Sequence, residues 1–155
     1  MRRKLALAAL LIFVPPVADA ASCSVTATGV AFGTYVPSST SNSTGTVPVS
    51  CSATLGLLFS WTIALNAGVN SGGSFSNRRM ASGNSYLSYQ LYTNSGHTTV
   101  WGDGTGGTST VPGSCLISVL GIPCTGSATA YGQIPALQNP SPGSYSDTIT
   151  VTVTY

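Results

Sequence analysis

The chain has 155 residues, and only 5% of them are charged, against roughly 25% in an ordinary soluble protein. Beyond residue 20 the charges are Arg78, Arg79, Asp103 and Asp147, which sum to zero; this excludes a nucleic-acid partner, which needs a basic footprint to neutralise phosphates. At 43% apolar residues, the chain carries enough for a packed core and is not a disordered one.

Residues 1–20, MRRKLALAALLIFVPPVADA, read as a secretory signal peptide. Arg2, Arg3 and Lys4 precede an apolar run from Leu5 to Val14, and Ala18 and Ala20 place small residues where a signal peptidase looks. The run is half of the ~20 residues needed to cross a bilayer. Cleavage near Ala20 is expected, leaving one domain over residues 21–155. A neutral surface is a weak defence against association, so the exported domain is one made to associate.

Cys23, Cys51, Cys115 and Cys124 follow. An even count in a small exported chain argues for disulfides. Four cysteines allow three pairings. The sequential one, Cys23–Cys51 with Cys115–Cys124, is favoured because it closes one medium and one short loop. No cysteine spacing suits zinc, and His97 is isolated; no metal and no cofactor are expected.

Serine and threonine supply 43 of the 135 residues after Ala20, and apolar residues recur with period two rather than 3.6. The predicted strands are Ser24–Phe32, Thr46–Ala53, Phe59–Asn66, Tyr86–Thr93, Thr98–Trp101 and Thr129–Ile134, with Ser38–Thr46 as a polar loop. The last strand is the clearest. Tyr145, Asp147, Ile149, Val151, Val153 and Tyr155 share one face, and Ser146, Thr148, Thr150, Thr152 and Thr154 the other. Gly72-Gly73, Asn94-Ser95-Gly96 and Ser141-Pro142-Gly143 are among the turn signals between these runs. Short strands at this spacing predict an all-β fold, an antiparallel β-sandwich.

Three features look chemical. Gly102 to Gly107 fits GxGxxG, but Thr-Ser-Thr-Val-Pro follows where the dinucleotide motif needs a helix; a hairpin turn is expected there. A serine nucleophile would need His97 as base, oriented by Asp103 or Asp147, and no spacing supports that. The chain is therefore read as non-enzymatic. Arg78 and Arg79 are expected either to cap a strand end or to pair with Asp147. Trp61, Trp101 and the tyrosines suit a core and a sugar site equally.

A family resemblance rests on several segments taken together. They are Cys23-Ser-Val, Val30-Ala-Phe-Gly-Thr-Tyr-Val-Pro37, Val47-Pro-Val-Ser-Cys51, Arg79-Met80, Leu87-Ser-Tyr-Gln-Leu-Tyr92, Val100-Trp-Gly-Asp-Gly104, Tyr131-Gly-Gln-Ile134 and Gly143 to Tyr155. With these the chain resembles the spore coat protein U domain family, which is similar to the pilins of archaic (Csu-type) chaperone–usher pili. The resemblance implies an immunoglobulin-like sandwich that is incomplete, lacking its last strand, with a hydrophobic groove that a donor strand fills. It implies a periplasmic chaperone, an outer-membrane usher and neighbouring pilin subunits as partners, and export through the periplasm to the cell surface or pilus. Ile149, Val151, Val153 and Tyr155 are the expected groove edge, because the chain stops directly after this strand.

Two departures shape the expectation. Only Ala21 and Ser22 stand between the expected cleavage site and Cys23, where a stalk pilin carries its donor segment; a subunit that accepts a strand and does not donate one belongs at a fibre tip. Between Cys115 and Cys124, Leu116, Ile117, Val119, Leu120 and Ile122 form an apolar loop, similar in character to the hydrophobic fingers with which Csu-type tip adhesins hold surfaces. It is the candidate contact to an apolar surface or host ligand; the alternative is that the loop packs onto the sandwich. The alternative is a spore or cell-coat protein of the same fold that assembles without a pilus.

Overall fold

Alternating apolar and hydroxylated residues favour a pleated, half-buried backbone, and the chain responds with strands almost throughout. The structure is a computed structural model that describes residues 21–52, 58–116 and 122–155. The predicted leader 1–20, together with Ala53, Ile117, Val119 and Leu120, lies outside the described residues.

Within the described residues the strands are β1 (Ser22–Val25), β2 (Ser41–Ser52), β3 (Leu58–Leu65), β4 (Arg79–Ser82), β5 (Ser85–Ser88), β6 (Gln90–Tyr92), β7 (Val111–Leu116), β8 (Cys124–Ile134) and β9 (Val151–Thr154). One sheet has the order β1-β2-β8-β6 and a second β7-β3-β9, while β4 and β5 form a hairpin. All the strand pairings are antiparallel. The fold is all-β, an antiparallel sandwich, with a single 3-10 turn at Phe75–Asn77.

The core lies between the sheets. Val47, Val49 and Cys51 of β2 and Ala128, Ala130 and Ile134 of β8 face Trp61, Ile63 and Leu65 of β3. Trp101 is fully buried and donates its indole N–H to the Ile63 carbonyl at 3.1 Å. Both tryptophans are thus core residues.

Several elements depart from the sequence prediction. The expected loop Ser38–Thr46 is mostly strand, because Ser41 to Thr46 pair with Ile134 to Thr129 along β8. Strand Ser24–Phe32 is regular only to Val25, with an isolated bridge at Thr28; beyond it Val30 and Phe32 cross the inner face of the sheet over Gly132. A Cβ at Gly132 would meet them at 2.6 and 2.7 Å. Tyr86–Thr93 is divided at Tyr89, where the chain leaves the β4–β5 hairpin and joins β8. Thr98–Trp101 contributes only bridges. Strands β4 and β7 carry too few apolar residues, and β7 a proline and glycine, for their alternation to show.

Glycine sets the packing of Trp61. A Cβ at Gly126 would stand 2.5 Å from the indole Cζ2, and one at Gly113 2.6 Å from the same atom. The indole lies between β7 and β8 in the space these two glycines leave. Gly126→Ala is expected to destabilise the domain by about 1–3 kcal/mol, the usual penalty for overpacking. Urea unfolding followed by tryptophan fluorescence checks it.

Candidate functional site

The two edges of the three-stranded sheet differ. Along β9 and the segment before it, the even-numbered residues turn their backbone groups toward the chain's own neighbouring segments: Asn66 and Val69 donate N–H groups to the carbonyls of Thr150 and Thr148, and Ser146 exchanges two bonds with Ala81. Neighbouring residues of a strand aim their backbone groups to opposite sides. Ile149, Val151 and Val153 therefore turn their N–H and C=O groups away from β3. Their side chains are half-buried against the core. One row of residues thus carries both apolar side chains and backbone groups without a partner among the described residues. On the far edge, the register Trp61↔Gly113 and Ile63↔Val111 turns Pro112, Ser114 and Leu116 outward. Proline has no N–H to offer there, a known device for blunting an edge.

Beside β9 runs a groove. Two adjoining cavities of about 600 and 300 Å³ share Val30, Phe32, Met80 and Tyr145 in their walls. Residues 27–37 form one wall and residues 140–151 the other, while Leu65, Leu91 and Ala130 floor the smaller cavity and Leu87 and Ile134 the larger. Of the expected edge residues, Ile149 and Val151 line this groove. Val153 packs against the core just beyond it. Tyr155 is 55% exposed and lies 5.9 Å from the Phe59 ring. The opposite wall escaped the sequence reading of the groove; the alternation of Val30 and Phe32 was the signal for it.

Polar groups fix the β9 register. The Asn66 side-chain oxygen accepts from the N–H groups of Thr150 at 2.9 Å and Gly68 at 3.2 Å. Asp147 accepts from Asn70 N and Nδ2 on Oδ1, at 3.3 and 3.0 Å, and from the Tyr89 hydroxyl on Oδ2 at 2.7 Å. Gly68, at φ +95°, leaves the room that this carboxylate occupies. The expected pairing of an arginine with Asp147 gives way to separate commitments. Arg78, only 1% exposed, donates Nη1 to Gln90 Oε1 and Nη2 to the Asn66 carbonyl. Burial lowers its pKa, opposed by the nearby Tyr89 and Asp147. Arg79 donates to the Asn70 carbonyl at 2.7 Å and stacks over Tyr86.

The remaining motifs are structural. Asp103 accepts from the Thr105 N–H and hydroxyl, and these bonds hold its carboxyl below the usual range. The Gly102–Gly107 segment closes a parallel bridge between Trp101 and Ser109, so it is a loop and not the expected hairpin turn. His97 sits edge-on to Tyr92 and Tyr131 at 5.2 and 6.5 Å, while Asp103 and Asp147 bond elsewhere. Among the described residues no cluster of metal-ligating side chains forms.

The disulfides are Cys23–Cys51 and Cys115–Cys124. Cys23 faces Cys51, and Cys51 faces Cys124, in the strand registers, so the four cysteines make one row at one pole of the sandwich. Beyond that row Leu58, Leu116 and Ile122 are 72%, 64% and 62% exposed.

A disulfide-tied antiparallel sandwich with an apolar groove beside the edge strand β9 is the class these observations define. The chain belongs to the Spore Coat Protein U domain family, whose match covers residues 9–152. No curated protein matches it. Among solved structures it is similar to a chain of the CsuC–CsuE chaperone–tip adhesion subunit pre-assembly complex from archaic chaperone–usher Csu pili of Acinetobacter baumannii, with a TM-score of 0.56 and 25% identity over 87% of this chain. It spans 40% of that chain's length.

Tyr89 stays neutral to unusually high pH. Burial comes first, and the bond to Asp147 adds to it; both raise its pKa well above the ordinary ~10. An acid whose folded pKa is raised contributes stability below its unfolded pKa and loses it as pH climbs past that value. Stability is therefore expected to fall above about pH 10, more steeply than in Tyr89→Phe. At neutral pH that variant should lose about 1.5–3 kcal/mol, the worth of a bond to a charged group. Urea midpoints between about pH 8 and 11 test both expectations.

Proposed function

We propose that the protein is an exported structural subunit of a chaperone–usher surface fibre, completed by an extended strand from another chain. The observation that carries this reading is the β9 edge. Ile149, Val151 and Val153 offer unpaired backbone groups beside an apolar groove, the arrangement that accepts an added strand. Family membership and the likeness to the Csu complex support it. The partners are then a periplasmic chaperone, which occupies the groove first, an outer-membrane usher, and a neighbouring pilin subunit whose donor segment replaces the chaperone. Residues 1–20 serve as the cleaved leader. The role is assembly and not catalysis.

Burying four large side chains of a donor contributes about 6–12 kcal/mol before entropic costs, so the subunit without an occupant is weakly stable. Co-expression of the domain with its chaperone tests this. Soluble protein obtained only as a one-to-one complex is expected; a stable free monomer would overturn the reading. In Val151→Asp the capture should be lost, because a carboxylate on the groove wall cannot be desolvated by an apolar strand.

The tip position is the finer proposal. Leu58, Leu116 and Ile122, exposed at the cysteine pole, support an adhesive end reaching an apolar surface or host ligand, with Ile117, Val119 and Leu120 as the rest of the loop. Exposed apolar clusters of this kind mark contact sites. Leu116→Ser should reduce attachment to a hydrophobic surface several-fold while leaving the melting temperature unchanged. A fall in melting temperature would mark the residue as core instead. The family's name favours a second reading, a coat protein assembling without a pilus. A neighbouring chaperone and usher gene pair decides for the fibre, and its absence for the coat.

A further inference from the structure

The groove wall contains one residue that an apolar strand cannot satisfy. Along β9 and the segment before it, Tyr145, Ile149 and Val151 line the smaller cavity together with Asp147. Met80, Leu91 and Phe32 also line this cavity, with Thr28, Ser146 and Tyr89 as its other polar side chains, so the carboxylate is the one charged group among the described residues that line it. Its oxygens are unequally used. Oδ1 accepts both Asn70 donors, and Oδ2 accepts only the Tyr89 hydroxyl. A carboxylate has about four acceptor positions, so Oδ2 keeps one. Arg78, the buried cation nearby, gives its Nη1 and Nη2 donors to Gln90 and the Asn66 carbonyl. That remaining position has no protein donor among the described residues. An inserted strand would shield it from solvent, and a buried acceptor position of a charged group left unsatisfied is unfavourable.

We propose that Asp147 selects the strand that fills the groove: the occupant is an extended segment of another chain that places a hydrogen-bond-donating side chain, such as Thr, Asn or Lys, over Asp147, with apolar side chains at the alternate positions that face Tyr145, Ile149 and Val151. This inference rests on the strand-accepting reading above. The spacing follows from the two-residue period of a strand. The odd-numbered residues of β9 turn their backbone groups toward the occupant, so an inward side chain of the occupant meets each of them in turn. One polar inward position therefore fixes the register, since a shift of two residues would put an apolar side chain over the carboxylate and the donor over Ile149 or Tyr145. A uniformly apolar strand has no such preferred register, and the carboxylate works against it in every one.

The test tethers candidate segments to the full chain through a flexible linker after Tyr155. One segment alternates valine with serine throughout. The others replace a single inward valine by Thr, Asn or Lys, at each inward position in turn. Melting temperatures are compared in the wild type, in Asp147→Ala and in Asp147→Asn. The expected result is that one position, and only one, prefers a donor, raising the melting temperature by several degrees over the all-valine segment. Asp147→Ala should abolish that preference. Asp147→Asn keeps the shape and the Tyr89 contact while removing the charge. It should abolish the preference for Lys and retain that for Asn, and it carries the test should Asp147→Ala not fold. If every segment stabilises and the all-valine one does so best, selection by Asp147 is wrong and the strand-accepting reading stands. If no segment stabilises the chain, the strand-accepting reading fails and the selection with it.

Discussion

Ser41 to Cys51 pair with Ile134 to Cys124 over eleven consecutive positions. Because side chains alternate faces with period two, a slip of one residue in this ladder would turn either Val47 and Val49 or Ala128 and Ala130 out of the core. The register that keeps them inside also sets Cys51 opposite Cys124, so that one pole can be tied to both β1 and β7. Toward the other pole it places Gly45 and Gly132 on the inner face. Their missing side chains are filled by Val30 and Phe32, which cross the sheet there. One wall of the groove is therefore a product of this ladder.

The opposite wall depends on polar atoms. Asn66 holds Thr150 through both backbone and side chain, while its carbonyl receives Arg78. Asp147 is held by Asn70 and Tyr89. A chain with so few charges places two of its four remaining ones, Arg78 and Asp147, at the root of the strand that carries the open edge. Hydrogen bonds to charged groups are the stronger kind. They keep β9 straight and in register although it pairs on only one side among the described residues. Pro112, facing outward from β7, makes the other edge of the same sheet a poor template. The two edges of the sheet are thus unequal as templates for a further strand.

Much of this was legible in the sequence. The period-two run on β3 appears within a residue of its predicted limits, whereas the expected strand Tyr145–Tyr155 is regular only over Val151–Thr154, its earlier half being held by an isolated bridge and single bonds. The pairing of the cysteines was also the favoured one. What escaped shares a cause: it depends on contacts rather than on local pattern. Ser41 to Thr46 are hydroxylated and polar like a loop, and become strand only because β8 supplies partners. Val30 and Phe32 alternate like a strand, and leave strand geometry because Gly132 makes room elsewhere. Tyr89 stands between two strands, its hydroxyl bonded to Asp147, where the chain passes from the hairpin to β8. An Arg–Asp pair was the simplest use of scarce charges, but the neutral acceptors Gln90 and Asn66 stood nearer to Arg78. Of the candidate site, the β9 wall was readable and the facing wall was not.

The cysteine row has a mechanical consequence. Cys115–Cys124 joins the two sheets covalently at one pole, and Cys23–Cys51 holds the edge strand of the larger sheet at the same level. The sheets cannot slide past each other or separate there. Any relative motion left to them is a rotation about that pole, like two boards hinged along one side. The gap it opens grows with distance from the hinge, and the larger cavity does lie at the far end, between residues 30–37 and 140–145. A rotation of that kind would widen the far mouth while the hinged end keeps its dimensions.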